Sequence, residues 1–334
     1  MNTSPARNPR FSQVIGEAIA LEMEADSKVL VLGEDIGRSG GVFGVTRELQ
    51  ARFGEKRVRD TPISEMAFTG MGVGLAMAGY RPVVEIMFVD FIGVCLEQVM
   101  NAMSKIPYMS GGNTRVPMVL RTAGGCIGSA AQHSQCLWGL FAHLPGMMVV
   151  CPSSPYDYKG LMAASIQSDD PVVFIENKRQ LNKVVSSHPV DMLVPEERYT
   201  VPLGKAKVVR QGNDITLVTI SASVADALAA AATLEAEGIS VEVIDLRCLV
   251  PLDMATVAAS VAKTGRLLVV DEDFLSYGMS GEIVARTLEQ LGPAAVRQVK
   301  RHAMPDIPLP ASITLERAAV PSAESITNVI RSMS

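Results

Sequence analysis

The sequence predicts an α/β protein of two successive domains, each built on a largely parallel sheet. Two observations carry this. Short, almost continuously apolar, β-branched runs alternate with helical stretches. Strands of that kind are buried on both faces by crossover helices. The alternation lapses once, between Lys178 and Asn213, and then restarts. A chain of 334 residues suits about two domains on the rough prior of 150 residues each.

The first strand is expected over 29–32, ending at Gly33-Glu34-Asp35. Strands over 82–88, 116–120, 147–150 and 171–175 follow, with helices over 65–78, 93–104, 130–142 and 156–166. The lapse carries Pro189, Pro195 and Pro202 with mixed charge, and reads as a linker of little regular structure. Beyond it, 215–220, 241–246, 267–270 and 296–299 read as strands. Residues 224–237, 253–263, 281–291 and 323–332 read as helices. The division is a first domain over 1–190, a linker over 191–202 and a second domain over 203–334.

Composition narrows the class. Apolar residues make up 48% and charged residues 19%, below the usual charged share of about 25%. Mean hydropathy is +0.24. Disorder is excluded, because it needs low hydrophobicity and high charge. No apolar run reaches the roughly 18 residues of a membrane span, and residues 1–10 lack the apolar stretch of a secretory signal. A net charge of −5 without a basic stripe argues against nucleic-acid binding. Lys178, Arg179 and Lys183 read as a solvated loop. Cys95, Cys126, Cys136, Cys151 and Cys248 show no CxxC spacing, so they read as reduced thiols of a cytoplasmic protein with no zinc site. The apolar excess points to surface covered by partner subunits.

Three segments invite chemistry. Gly70-Met-Gly72-Val-Gly74 suggests a dinucleotide fingerprint, but that motif should follow a strand and open a helix. Here the helix already runs from near Ser64, a residue suited to an N-cap. The glycines read instead as small residues that let this helix approach another, and an NAD-binding protein is the weaker alternative. Glu65 opens the same helix among apolar neighbours. It is either a first-turn glutamate favoured by the helix dipole or a carboxyl whose desolvation lets it hold a proton near neutral pH. His133 lies in Ala130-Ala-Gln-His-Ser-Gln135 after a glycine-rich loop. It is either a structural histidine or an acid/base group.

Longer strings go further. They are Asp60-Thr-Pro-Ile-Ser-Glu65-Met66, Met77-Ala-Gly79, Glu85-Ile-Met-Phe-Val-Asp-Phe91, Met109-Ser-Gly-Gly112, Ala131-Gln-His-Ser-Gln135, Val150-Cys-Pro-Ser-Ser-Pro155 and Val243-Ile-Asp-Leu-Arg247. Together they resemble the beta subunit of the thiamine-diphosphate-dependent component of 2-oxo acid dehydrogenase complexes, across nearly the whole chain. Phe88-Val-Asp-Phe91 and Val150 to Tyr156 look most like acetoin dehydrogenase beta subunits.

The resemblance implies a transketolase-like pyrimidine-binding domain followed by a transketolase C-terminal domain. It implies that Glu65 contacts N1′ of the cofactor's aminopyrimidine, that Phe91 packs on that ring, and that His133 stands beside the thiazolium. Glu34 falls where the family has a glutamate near the cofactor-binding subunit interface. Glu65 and His133 are thus the implied catalytic residues, with Glu65, Phe91 and Glu34 binding cofactor. The family's Gly-Asp-Gly motif, which holds the diphosphate and Mg²⁺, is missing here; in two-chain forms it belongs to the alpha subunit. An α2β2 assembly is therefore implied, docked on a lipoyl acyltransferase core. A structural potassium ion is a further family feature, matched only loosely around Ser168-Asp-Asp170. Acetoin, pyruvate and branched-chain 2-oxo acids all remain open as substrates, and a noncatalytic scaffold subunit is the rival reading.

Overall fold

A computed structural model describes residues 7–333, so most of the polar stretch 1–10 lies outside the described residues. The first α/β unit begins with helix α1 (Phe11–Ala25), strand β1 (Val29–Gly33), α2 (Leu49–Phe53), β2 (Val58–Asp60), α3 (Glu65–Met77) and β3 (Arg81–Ile86). It continues with α4 (Ser104–Met109), β4 (Val119–Gly124), α5 (Trp138–Ala142), β5 (Met148–Val150), α6 (Pro155–Gln167), β6 (Val172–Asn177) and α7 (Lys178–Leu181). Then come β7 (Lys207–Arg210), β8 (Ile215–Thr219), α8 (Ser223–Glu235), β9 (Val241–Asp245), β10 (Cys248–Val250), α9 (Met254–Thr264) and β11 (Arg266–Phe274). The chain closes with α10 (Met279–Leu291), β12 (Gln298–Met304), α11 (Ile313–Ala319) and α12 (Ala323–Arg331).

The first sheet has the order β10-β5-β6-β4-β3-β1-β2, and every pairing in it is parallel except β10 with β5. The direction of growth reverses between β1 and β3. In open parallel sheets that reversal opens a crevice at the carboxyl ends of the strands, where ligands bind. The second sheet has the order β12-β11-β8-β9-β7, with only β7 antiparallel. Among the described residues no helix is long and apolar enough to cross a membrane.

Several elements differ from the sequence expectation. Helix α1 was not anticipated, although Phe11, Val14, Ile15, Ala18 and Ile19 have helical spacing and are buried. The segment 93–104 forms a 3₁₀ turn at Val89–Val94 and a π-helical turn at Gln98–Met103 instead of one α-helix. The helix expected over 130–142 exists only as α5. Ala130 (φ 64°) and Leu137 (φ 53°) adopt left-handed backbone, which interrupts a right-handed helix. β7 forms inside the stretch read as linker. β10, from the second half of the sequence, adds an edge strand to the first sheet. One apolar cluster, holding Leu32, Trp138, Val218, Ile244 and Met279 together, runs through both units.

Of the α3 glycines, Gly70 faces the π-helical turn, where a Cβ would stand 2.9 Å from Gln98 Oε1, while Gly72 and Gly74 do not bring a helix close. A Cβ on Gly72 would stand 2.6 Å from Val84 Cγ2 on β3, so the close neighbour is the sheet; at Gly74 nothing lies within 4 Å. Ser64 precedes the helix without a side-chain cap bond. The outer side of this region leaves Ile63, Met66, Met71 and Met77 exposed, Ile63 by 84%.

The two glycines should therefore respond oppositely to alanine in the isolated chain. Gly72→Ala overpacks the helix–sheet contact and should lower stability by about 1–3 kcal/mol. Gly74→Ala removes a mid-helix glycine at an open position and should raise it by up to about 1 kcal/mol. Urea unfolding midpoints measure both; equal shifts would contradict the packing described.

Candidate active site at the carboxyl edge of the first sheet

The ends of five neighbouring parallel strands supply the site. Glu34 follows β1, and Asp60 at the end of β2 leads into the turn before Glu65, the first residue of α3. Phe88, Asp90 and Phe91 follow β3, the His133 loop follows β4, and Lys178 follows β6. All four residues singled out from the sequence, Glu34, Glu65, Phe91 and His133, thus lie at this one edge, around the β1/β3 reversal.

Glu34 is 9% exposed and its Oε1 has no hydrogen-bond partner. Burial first, and the nearby negative charges of Glu65 and Asp35 next, hold its pKa above the ordinary carboxylate range. Glu65 is partly buried and also lies within electrostatic reach of the buried Cys95 thiol, whose pKa is raised chiefly by desolvation. Two carboxyls and an apolar helix end therefore share one corner of the crevice.

His133 sits on an aromatic wall. Its ring meets Phe88 edge-to-face at 5.3 Å and Phe91 at 5.4 Å, and the two phenylalanines meet each other at 5.4 Å. Phe43 extends the wall, 5.8 Å from Phe88. Such edge-to-face pairs add directional attraction to ordinary burial. Beneath them Lys178 Nζ donates to the His133 carbonyl, lies 5.0 Å from the Phe88 ring centre and 3.8 Å from Asp90 Oδ2. Asp90 Oδ1 accepts from Gln135 N at 3.1 Å and Gln135 Nε2 at 2.9 Å. The main chain at and just after His133 is thereby held while its ring stays partly open. A cavity of 610 Å³ lined by Ala131, Gln135, Phe274 and Tyr277 adjoins this loop.

Sequence reasoning missed Phe88, Asp90 and Lys178. The expectation of a solvated loop fails for Lys178, which is buried, and for Arg179, which bonds Asp226 at 2.7 Å and Glu272 at 3.4 Å. Lys183 is exposed as expected. The available signal was position: Lys178 directly follows an apolar parallel strand, where side chains line sites. Burial is the main cause of a lowered Lys178 pKa, opposed by Asp90.

At the turn Ser168–Asp170 the neighbouring cation is Arg81. Arg81 Nη1 donates to the carbonyls of Ile166 (3.2 Å) and Ser168 (2.8 Å), and Arg81 Nη2 to Asp169 Oδ1 (2.6 Å). The guanidinium thus already engages the carbonyls of Ile166 and Ser168.

Comparison with known proteins agrees with this architecture. The family models for the transketolase pyrimidine-binding domain and the transketolase C-terminal domain match residues 7–183 and 204–326. The beta subunit of acetoin:2,6-dichlorophenolindophenol oxidoreductase from Cupriavidus necator is 44% identical, covering 98% of this chain and 97% of the relative. The mitochondrial pyruvate dehydrogenase E1 component subunit beta-1 of Arabidopsis thaliana is 42% identical, covering 96% and 88%. The 2-oxoisovalerate dehydrogenase subunit beta of Bacillus subtilis is 40% identical, covering 97% and 98%. A solved split-gene transketolase, described as an inactive beta4 tetramer, shares the fold with a TM-score of 0.78 at 22% identity, covering 98% of each chain. The chain therefore belongs to the family of beta subunits of the thiamine-diphosphate-dependent component of 2-oxo acid dehydrogenase complexes, acetoin dehydrogenase beta subunits among them.

Proposed function

We propose that this chain supplies the aminopyrimidine half of a shared thiamine diphosphate site, and that its complex cleaves acetoin and passes the acetyl group to a lipoyl domain. The observation that supports the reading is that Glu34, Glu65, Phe91 and His133 all follow neighbouring strands at the carboxyl edge of the first sheet, Glu34 within electrostatic reach of Glu65 and Phe91 packed against His133. The 44% identity to an acetoin oxidoreductase beta subunit favours acetoin over pyruvate or a branched-chain 2-oxo acid. An alpha chain would bring the diphosphate and Mg²⁺ contacts, since this sequence contains no Gly-Asp-Gly. The partners of this reading are that alpha chain in an α2β2 assembly and a lipoyl acyltransferase core, in the cytoplasm. The domain division at 191–202 stays part of the proposal.

The residues fit an aminopyrimidine. Glu34 Oε1 is a buried acceptor without a partner, Glu65 offers a second carboxyl beside it, and Phe91 presents an aromatic face suited to offset stacking. When bound, thiamine diphosphate supplies an acidic ring carbon and an electron sink for cleavage beside a carbonyl. Glu65 would hold the proton shared with the pyrimidine N1′ through a carboxyl oxygen. Phe91 would orient the ring. His133 would direct its imidazole toward the substrate oxygen and give or take the proton there. Phe88 and Phe43 would exclude water from that side.

A noncatalytic scaffold has no use for Glu65 or His133 at this edge. Reconstitution with the alpha chain, thiamine diphosphate and Mg²⁺ followed by dye reduction tests the reading. Acetoin should be turned over in preference to pyruvate and 3-methyl-2-oxobutanoate. Glu65→Gln should abolish turnover and slow hydrogen exchange at the cofactor's reactive carbon, while leaving the melting temperature unchanged. Full turnover by that variant would establish the scaffold instead.

Glu34 adds a pH test. Its raised pKa means that the protonated carboxyl favours the fold. That contribution is complete below the ordinary carboxylate range and is lost as pH rises through the raised value. Glu34→Gln stays neutral throughout. Its melting temperature relative to the parent should therefore climb as pH rises from about 4 to 8, and a difference that shrinks with pH would contradict the electrostatics described.

A further inference from the structure

We infer that the second α/β unit positions the His133 loop, with Glu316 as the positioning residue that reaches across to it. This rests on the reading of His133 as an active-site group. The loop between β4 and α5 carries His133 without any helix or strand of its own. Its two ends are held by acids from the other unit. Glu272 Oε1 accepts from Cys126 N at 3.1 Å, and Glu316 Oε1 accepts from Gly128 N at 2.7 Å. At the far end Asp271 Oδ1 accepts from Trp138 Nε1 at 2.9 Å, and Asp273 Oδ2 from Gly139 N at 3.2 Å. The Glu316–Gly128 bond, at 2.7 Å, is the shortest of the four.

Glu316 is the informative member. It is 4% exposed on α11, and its second oxygen, Oε2, is buried without a hydrogen-bond partner. A half-satisfied buried carboxyl is a poor device for stability alone. Its bonded oxygen is aimed at Gly128, 188 residues away in sequence. Gly128 has φ 79°, and a Cβ there would stand 2.8 Å from Ile313 Cγ1, so α11 rests directly on the loop backbone. Glu272, fully buried, ties the loop to Asn177 (2.9 Å) at the end of β6, beside Lys178. The loop is thus suspended between the two units, and the partly open His133 ring takes its position from both.

The test uses the complex reconstituted with its alpha chain, thiamine diphosphate and Mg²⁺, and also the beta chain by itself. In Glu316→Ala, amide exchange across residues 125–137 should accelerate about tenfold or more, with other segments unchanged. In the complex kcat should fall roughly ten- to hundred-fold, with cofactor affinity held. Glu316→Gln keeps an oxygen for Gly128 N and should restore most of both. Glu316→Asp keeps the charge but withdraws it, and should behave like the alanine variant; it serves if Glu316→Ala does not fold. Unchanged exchange in the loop, or a loss of activity that tracks only the folded fraction, would overturn the inference. Because exchange is read on the beta chain alone, it decides the clamp even if the wild-type complex fails to turn over acetoin.

Discussion

The structure depends on one buried charge triad. Arg121, in the middle of β4, lies between Glu85 of β3 and Glu176 of β6, all three almost wholly buried. Its guanidinium bonds Glu176 through two nitrogens, Nη2 to Oε2 at 2.9 Å, and reaches Glu85 through Nη1. Burial alone would lower the Arg121 pKa, but Glu176 and Glu85 together outweigh it and raise it, which keeps the guanidinium charged. Burying such ions is costly, and removing one partner from a buried pair costs about 3–5 kcal/mol because the other charge is left uncompensated. The triad therefore acts less as a source of stability than as a register pin. It joins the three central strands whose carboxyl ends carry Phe88 and Phe91, the His133 loop and Lys178.

What the strands bring together, the second unit completes. Strand β10 crosses to the first sheet, one apolar cluster runs through both halves, and Arg247 bonds Asp157 at 2.6 Å at their junction. Ser153 Oγ donates to Asp245 Oδ2 at 2.5 Å nearby; Asp245 has a pKa raised to about 7 by burial and by the charge of Asp157. Such a junction is stiff. The crevice edge on one side and the loop-holding acids on the other are thus fixed relative to each other. That is the pre-organisation a site needs if its reacting groups are to stay in place.

Much of this was legible in the sequence. Continuous apolar strands and their helices marked two parallel sheets, because burial on both faces leaves a plain pattern. Glu65 and His133 stood out as isolated polar groups in apolar or glycine-rich company, and both lie beyond the carboxyl ends of strands of the first sheet. What stayed hidden depends on distance in sequence. β10 is a three-residue run, Cys248–Val250, too short to reveal its partner strand. Lys178 looks like any charged loop residue until β6 is seen to end just before it. The helix expected over 130–142 is interrupted by left-handed backbone at Ala130 and Leu137, and the chain around it is held at Cys126, Gly128 and Gly139 by acids more than a hundred positions away. No local pattern encodes those bonds.

The half-site is the central claim. This edge offers carboxyls, an aromatic wall and a histidine, while the sequence lacks the Gly-Asp-Gly segment that would take a diphosphate and its metal. Calorimetric titration of thiamine diphosphate with Mg²⁺ into the beta chain, the alpha chain and their mixture tests this most directly. The account predicts saturable, tight binding only in the mixture, with one cofactor for each alpha–beta pair. Equally tight binding to the beta chain alone would contradict it.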